Sequence, residues 1–230
     1  MPKTTVGRIE LGAAESHHLR DVLRMETGAR IEVFDKDGAT GHGKIVESAS
    51  GAVVVEVSEI LRRDQSGPRL TIASAIPKGP RADWMIEKLS ELGVDAFIPL
   101  ATQHSVVLPE GPSKHARWER LATESARQSG RAGVMRIGPL TALSKVLDGA
   151  GGEKAYLSLE EDAKAIAELA AKKTTGELML FIGPEGGWSA EELAMFREGN
   201  IAAYRLTNTV LRVETAAIAA AAVIRCAGNI

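Results

Sequence analysis

The stretch Phe181–Leu193, "FIGPEGGWSAEEL", decides the fold. The apolar run leading into it, "ELMLFI" (Glu177–Ile182), reads as a buried strand. Ser189 and Glu192 make an S-x-x-E capping box, so a helix is predicted from about Ala190. Between strand and helix lie Gly183, Gly186 and Gly187. Strand, glycine turn and helix in this order build a parallel α/β sheet, which binds ligands at the carboxyl ends of its strands.

The turn does not fit the usual phosphate cradles. No lysine follows the glycines, so the P-loop pattern is absent. The dinucleotide pattern G-x-G-x-x-G is absent too. Glu185 stands in the middle of the turn and would repel a phosphate, but it suits ribose hydroxyls or a cationic ligand. Glycines let a ligand approach the backbone closely. A tight turn with no ligand is the other reading of the same residues.

Working outward, the α/β rhythm extends from about residue 70 to the end. Strands are predicted at "LTIASAI" (Leu70–Ile76), "VDAFIPL" (Val94–Leu100), "AYLSL" (Ala155–Leu159) and "AAYRL" (Ala202–Leu206). Helices fall between them. "PRADWMIEKLSEL" places Met85, Leu89 and Leu92 on one face and closes at Gly93. Ser113 is a candidate cap for a long helix that Gly130 ends, and "ETAAIAAAAVIRCA" closes the chain. Such alternation predicts a mostly parallel sheet with helices on both faces. The first sixty residues differ: "ARIEVFD", "HGKIVES" and "AVVVEVSEI" read as strands, with Asp37-Gly38 as a hairpin turn. One helix interrupts them, "AESHHLRDVLRM" (Ala14–Met25), with Leu19, Val22 and Leu23 on one face. The polar stretch "LRRDQSGPR" (Leu61–Arg69) is the candidate linker. Two domains are expected, residues 1–65 and 70–230.

Apolar content of 44% and charged content of 25% suit a soluble globular chain. The net charge of −2 means that any nucleic-acid contact must come from a local patch. A single cysteine, Cys226, excludes an intrachain disulfide, and adjacent His17 and His18 are not spaced as ligands, so no metal is expected. "AAIAAAAVI" is too short to span a bilayer and the N-terminus lacks a signal-peptide core, so the expected location is cytoplasmic.

Three further stretches carry chemistry. In "LTNTVLRVETA" (Leu206–Ala216), Arg212 and Glu214 sit at a strand-to-helix junction with Thr215 a possible cap; an Arg–Glu pair at a helix start is the plainer reading. Arg117, Arg120, Arg127 and Arg131 share a helical face on which Glu124 is the acid. Such a stripe lines up on RNA phosphates, or is simply a solvated face. Residues 70–140 carry nine Lys/Arg against seven Asp/Glu, and residues 141–230 nine against twelve, so the basic excess precedes the glycine turn. The alanines of the last helix allow close packing or a subunit contact, and equally reflect helix propensity.

Together, "FIGPEGGWSAEE" and the following "LRVETA" resemble the RsmE family of SPOUT-class methyltransferases. "HHLRDVLRMETGARIEVFDKDG" resembles its PUA-like β-barrel, "KLSELGVDAFIPL" its early α/β segment, and "ESARQSGR" its RNA-proximal motif. The resemblance covers nearly the whole chain. It implies methylation of the N3 of a uridine in 16S ribosomal RNA, within the small ribosomal subunit, with S-adenosyl-L-methionine as methyl donor and no metal. It also implies a trefoil knot in the α/β domain and a homodimer with its active site near the subunit interface. The implied cofactor loops contain Leu159 and Glu160; Ile182, Gly183, Pro184, Glu185, Gly186 and Gly187; and Leu206, Leu211, Arg212, Thr215 and Ala216. The candidate catalytic residues are Arg131 and Arg212, for stabilising the negative charge that develops on the uracil oxygens or for holding the target phosphate, and Glu214, as an orienting group or base. Arg20, Arg24, Arg117, Arg120, Arg127, Gln128 and Arg131 are the implied RNA contacts.

The chain departs from the family at three places. Thr207 and Thr209 replace a glycine and a basic residue, His104 replaces an arginine, and the family's opening strand is not recognisable. Alternative readings are a sister SPOUT enzyme with another RNA target and a non-catalytic ribosome-assembly protein. A nucleotide hydrolase is more distant, because the P-loop lysine is missing.

Overall fold

Short stretches of alternating apolar and polar residues need partners to bury their apolar side. The computed structural model, which describes residues 3–35, 39–48, 52–62, 67–108, 111–149, 151–172, 174 and 176–227, shows where each finds one. Two compact units emerge: residues 1–64 with 130–134, and residues 65–129 with 135–230. The Asp37-Gly38 turn and residues 63–66 of the candidate linker lie outside the described residues.

In the first unit, β1 (Gly7–Glu10), β2 (Arg30–Phe34), β3 (Ala39–Ser48) and β4 (Val53–Arg62) form an antiparallel sheet in the order β1-β4-β3-β2. A short strand, β1, therefore precedes the first helix and pairs with β4. Its "GRIE" is short and half charged, but the Ile9↔Val55 register buries Ile9 with Leu11, Ile45, Val53, Val55 and Val57. The predicted helix over 14–25 is shorter: α1 (Ala13–His17) widens into a π-helical turn over His18–Val22, where Leu23 N donates to His18 O at 2.9 Å. Leu19 reaches the core, whereas Val22 and Leu23 are 58% and 53% exposed, because the wider turn rotates them off the buried face.

The second unit contains β5 (Arg69–Ser74), α2 (Arg81–Glu91), β6 (Ala96–Ala101), α3 (Pro112–Gln128), β7 (Arg136–Ile137), β8 (Thr141–Ala142), α4 (Leu143–Gly149) and β9 (Glu153–Leu157). After these come β10 (Lys164–Ala165), α5 (Ile166–Ala171), β11 (Glu177–Ile182), α6 (Ala190–Glu198), β12 (Ala202–Arg205) and α7 (Val213–Ala227). All pairings in this sheet are parallel, in the order β10-β12-β9-β11-β5-β6-β7, with β8 extending the β6 edge. On one face, Met179 and Phe181 of β11 pack with Leu143 and Val146 of α4 and Phe196 of α6. Tyr156 of β9 stacks on Phe196 at 4.2 Å between ring centroids. The alternate residues Leu178 and Leu180 are buried too, and α7 packs on β5 and β11 and against α2 and α5. A strand buried on both faces reads as a continuous apolar run, as "ELMLFI" does.

Two helix starts differ from the expected caps. Helix α3 begins at Pro112 after Gly111, whose φ of 93° only glycine adopts easily, so Ser113 lies inside the first turn. Helix α7 begins at Val213, which puts Thr215 inside its first turn as well.

Candidate active site

Order β12-β9-β11-β5 places the carboxyl ends of β9, β11 and β12 side by side. The three following loops enclose a cavity of about 670 Å³, within the span of roughly 300–1,000 Å³ usual for ligand sites. Leu159 and Glu160 follow β9; Ile182 ends β11 and Gly183 to Gly187 follow it; Leu206, Leu211, Arg212 and Ala216 follow β12; all of them line it. Thr215, expected among them, is exposed and absent from the lining.

Local structure holds the glycine turn. Gly187 N donates to Pro184 O at 2.9 Å, and Gly187 has a φ of 75°. The capping box forms as expected: Glu192 N donates to Ser189 Oγ at 3.1 Å and Ser189 N to Glu192 Oε2 at 2.9 Å. The other oxygen of Glu192 accepts from Gln103 N at 2.9 Å, so one buried carboxylate ties the β6 loop to the start of α6. A Cβ at Gly183 would stand 2.9 Å from the Trp188 ring, and one at Gly186 would stand 3.1 Å from His104 Cβ. These glycines thus make room first for neighbouring side chains. His104 also donates from Nδ1 to Gly187 O at 3.0 Å.

Trp188 lines the cavity, donates from Nε1 to Leu157 O at 3.0 Å, and meets Phe196 edge-on at 4.9 Å. Sequence reading passed over it, although its place directly after the turn was the available signal. Thr207 and Thr209 also line the cavity. Thr207 Oγ1 donates to Thr209 O at 2.9 Å and accepts from Thr209 N at 3.3 Å, a local bracing that the family's glycine could not make.

Electrostatically the lining is acidic on balance, with Glu160 and Glu185 against Arg212. Glu160 lies 3.6 Å from Arg197, while Glu185 is exposed with no ion-pair partner among the described residues. Burial first, then Glu160 and Asp162, push the Tyr156 phenol above its ordinary value. Backbone hydrogen bonding first, then Ser189, hold the Glu191 carboxyl below its ordinary value.

The remaining candidates fall elsewhere. Glu214 is 4% exposed and directed at Arg81, with 3.4 Å between Oε1 and Nη1, rather than into the cavity. This follows from the start of α7 at Val213: successive residues of its first turn diverge by about 100° around the axis. Arg117 pairs with Asp83 at 2.8 Å and Arg120 lies 3.9 Å from Glu124, so part of the basic stripe is neutralised in place. Arg127 is half-buried and Gln128 exposed at the end of α3. Arg131 is half-buried within residues 130–134, which belong to the first unit. There, Arg20 donates to Asp21 at 3.0 and 2.9 Å, and Arg24 has a left-handed φ of 51°. Among the described residues no group of three or more His, Cys, Asp or Glu could hold a metal, and no helix is long and apolar enough to cross a membrane.

Residues 65–225 match a family model described as an RNA methyltransferase domain, and residues 11–58 one described as an RNA methyltransferase PUA domain. The chain is 30% identical over 213 residues to ribosomal RNA small subunit methyltransferase E of Bacillus subtilis, covering 88% of this chain and 83% of that protein. It is 31% identical over 214 residues to the protein of the same name from Mycobacterium bovis, covering 90% and 81%. The crystal structure of a ribosomal RNA small subunit methyltransferase E from Neisseria gonorrhoeae, bound to S-adenosyl methionine, superposes with a TM-score of 0.84. That match has 26% identity and covers 98% of this chain and 94% of that one.

Proposed function

We propose that this chain, which belongs to the ribosomal RNA small subunit methyltransferase E family, methylates N3 of a uridine in small-subunit ribosomal RNA, using S-adenosyl-L-methionine. The observation that carries the reading is the cavity built by the glycine turn and the loops after β9 and β12.

The residues present fit the cofactor. The cavity has the size of a ligand site, an apolar wall from Leu159, Ile182, Leu211 and Trp188, and carboxylates at Glu160 and Glu185. Carboxylates accept hydrogen bonds from ribose hydroxyls and favour a positive sulfur, and they disfavour a phosphate. When bound there, S-adenosyl-L-methionine supplies an electrophilic methyl on a cationic sulfur.

The protein must orient a uracil ring, let N3 lose its proton, and balance the negative charge that spreads to the ring oxygens. Arg212, exposed on the cavity lining, is assigned to that charge, and Arg131, in the first unit, to contact with the RNA. The target base reaches the cavity splayed from its stack, as base-modifying enzymes require. Glu214 points at Arg81 and is assigned no proton transfer. The same reading includes knotted cofactor loops, a homodimer, a small ribosomal subunit as substrate and a cytoplasmic location.

The test is mass spectrometry of ribosomal RNA from a strain lacking this protein. Its small subunits are analysed before and after incubation with the protein and S-adenosyl-L-methionine. A gain of one methyl on a uridine is expected. No gain on small-subunit RNA would reject the substrate, and a gain on another RNA would point to the sister-enzyme reading.

A further inference from the structure

Two carboxylates in the cavity lining make it a poor place for the phosphates of an RNA strand. A strand that feeds a base into the cavity must set its phosphates to one side. The neighbour of β11 away from β9 is β5, paired in register Ser74↔Ile182 and continued by Ala75 N donating to Ile182 O at 2.9 Å. The chain leaving β5 is "PKGPR", Pro77–Arg81. Gly79 turns it with a φ of 67°, and Lys78 is exposed with no ion-pair partner among the described residues.

Arg81 is held more firmly. Its Nε donates to Lys78 O at 3.3 Å, and its Nη1 donates to Glu214 Oε1 at 3.4 Å. Glu214 is buried, and its Oε2 has no hydrogen-bond partner among the described residues. A carboxylate buried with one oxygen unpaired opposes folding, and among the described residues Arg81 is the one cation it holds. Arg212 lies just before α7 and Glu214 in its first turn, so one side chain lines the cavity and the other meets Arg81. Residues 212–214 therefore join the cavity lining to the carboxylate that holds Arg81. Asp83, two residues beyond Arg81, is taken up by Arg117 and by Trp118 Nε1 at 2.9 Å, and so does not cancel the charge.

We propose that Lys78 and Arg81 form a phosphodiester-binding subsite for the RNA strand that carries the target base. Glu214 is the positioning residue that orients Arg81 within it. The inference rests on the RNA-methyltransferase reading. It also gives the buried Glu214 a role that is not chemical.

The experiment measures binding of transcribed small-subunit ribosomal RNA over a salt series, and S-adenosyl-L-methionine binding by calorimetry, for wild type, Lys78→Ala, Arg81→Ala and Glu214→Gln. Lys78→Ala and Arg81→Ala should each weaken RNA binding severalfold and lower the salt slope by about 0.7, the value of one lost contact to a single strand. Cofactor affinity should not change. Glu214→Gln should reproduce the loss seen in Arg81→Ala and add nothing to it in the double variant. Should Glu214→Gln fail to fold, Glu214→Asp keeps the charge, withdraws it from Arg81, and should weaken RNA binding in the same way. RNA affinity and salt slope equal to wild type in both cation variants would overturn the subsite. A Glu214 variant that lowers turnover at saturating RNA with RNA affinity intact would overturn the positioning role. If wild type binds the cofactor but no RNA, the functional reading itself falls and the subsite with it.

Discussion

His104 on the loop after β6 touches the glycine turn from 83 residues away, its Nδ1 3.0 Å from Gly187 O. Its Cβ occupies the space beside Gly186, where an added Cβ would stand 3.1 Å away. The residue that departs from the family is thus packed against the turn that lines the cavity.

Gly186→Val should therefore act through His104 as well as by crowding the cavity. The larger side chain pushes on both loops, and cofactor affinity should fall about tenfold or more, on the order of the 1–3 kcal/mol typical of overpacking. Adding His104→Ala should recover part of the loss. Calorimetric titration with S-adenosyl-L-methionine decides: equal affinity in wild type and Gly186→Val would remove the turn from the binding site.

A stability prediction follows from the opposite end of α7. Arg225 donates from Nη2 to Asp95 Oδ2 and to Gly93 O, both at 2.6 Å, and from Nη1 to Pro68 O at 2.8 Å. Asp95 Oδ2 also accepts from Leu70 N at 2.7 Å. This mostly buried fork fastens the last helix to the start of β5. Arg225→Met leaves Asp95 and two carbonyls short of donors and should cost about 3–5 kcal/mol. Thermal unfolding should show a fall of roughly 6–20 °C, taking 2–4 °C per kcal/mol for a unit of this size. A shift under about 2 °C would mean that water replaces the fork without loss.

How much of this was legible depended on whether the deciding contacts were local. Ser189 and Glu192 are three residues apart, so the α6 start could be read directly, and the apolar run into Ile182 announced a strand buried on both faces. Contacts between distant segments could not be read. Strand β1 exists because "GRIE" finds β4, some 45 residues later, and nothing in four residues with two charges declares it. The inward turn of Glu214 depends on α7 starting at Val213 rather than after Thr215, a shift of one helical turn that reassigns every side chain near it. Trp188 was in plain view but carries no motif, and only its packing on Phe196 and Leu157 makes it a wall of the cavity.

The pH dependence of stability should carry a mark from Glu153 at the start of β9. Burial alone would raise its carboxyl. Hydrogen bonds from Lys172 and Thr174, at 2.8 and 2.7 Å, outweigh that and hold it below its ordinary value of 4.5. A carboxyl lowered on folding stabilises the fold above its unfolded pKa, and the contribution is lost as pH falls through the folded value. Glu153→Gln should therefore lower stability at neutral pH and flatten the decline below about pH 4.5. Urea midpoints at pH 7 and pH 3 are the measurement; an equal deficit at both would show that the charge contributes nothing.

Arg212→Ala separates binding from chemistry. The side chain is exposed at the cavity lining and has no ion-pair partner among the described residues, so its loss removes a cation without leaving a buried charge unpaired. Its backbone carbonyl still accepts from Ala216 N at 2.9 Å, so the start of α7 should persist. If the guanidinium faces charge that develops on the uracil ring, it acts in the transition state more than in the ground state. Methyl transfer should then fall about 100-fold or more, as for other lost oxyanion donors, with cofactor affinity within about twofold of wild type. Transfer of labelled methyl to small ribosomal subunits, read beside calorimetry, checks both halves. Turnover at the wild-type rate would dismiss Arg212 from the reaction. Loss of cofactor affinity in step with rate would make it a cofactor-binding group. Raising RNA concentration adds a further distinction: rescue at saturation places Arg212 on the strand's phosphate, and an unrescued rate places it on the ring.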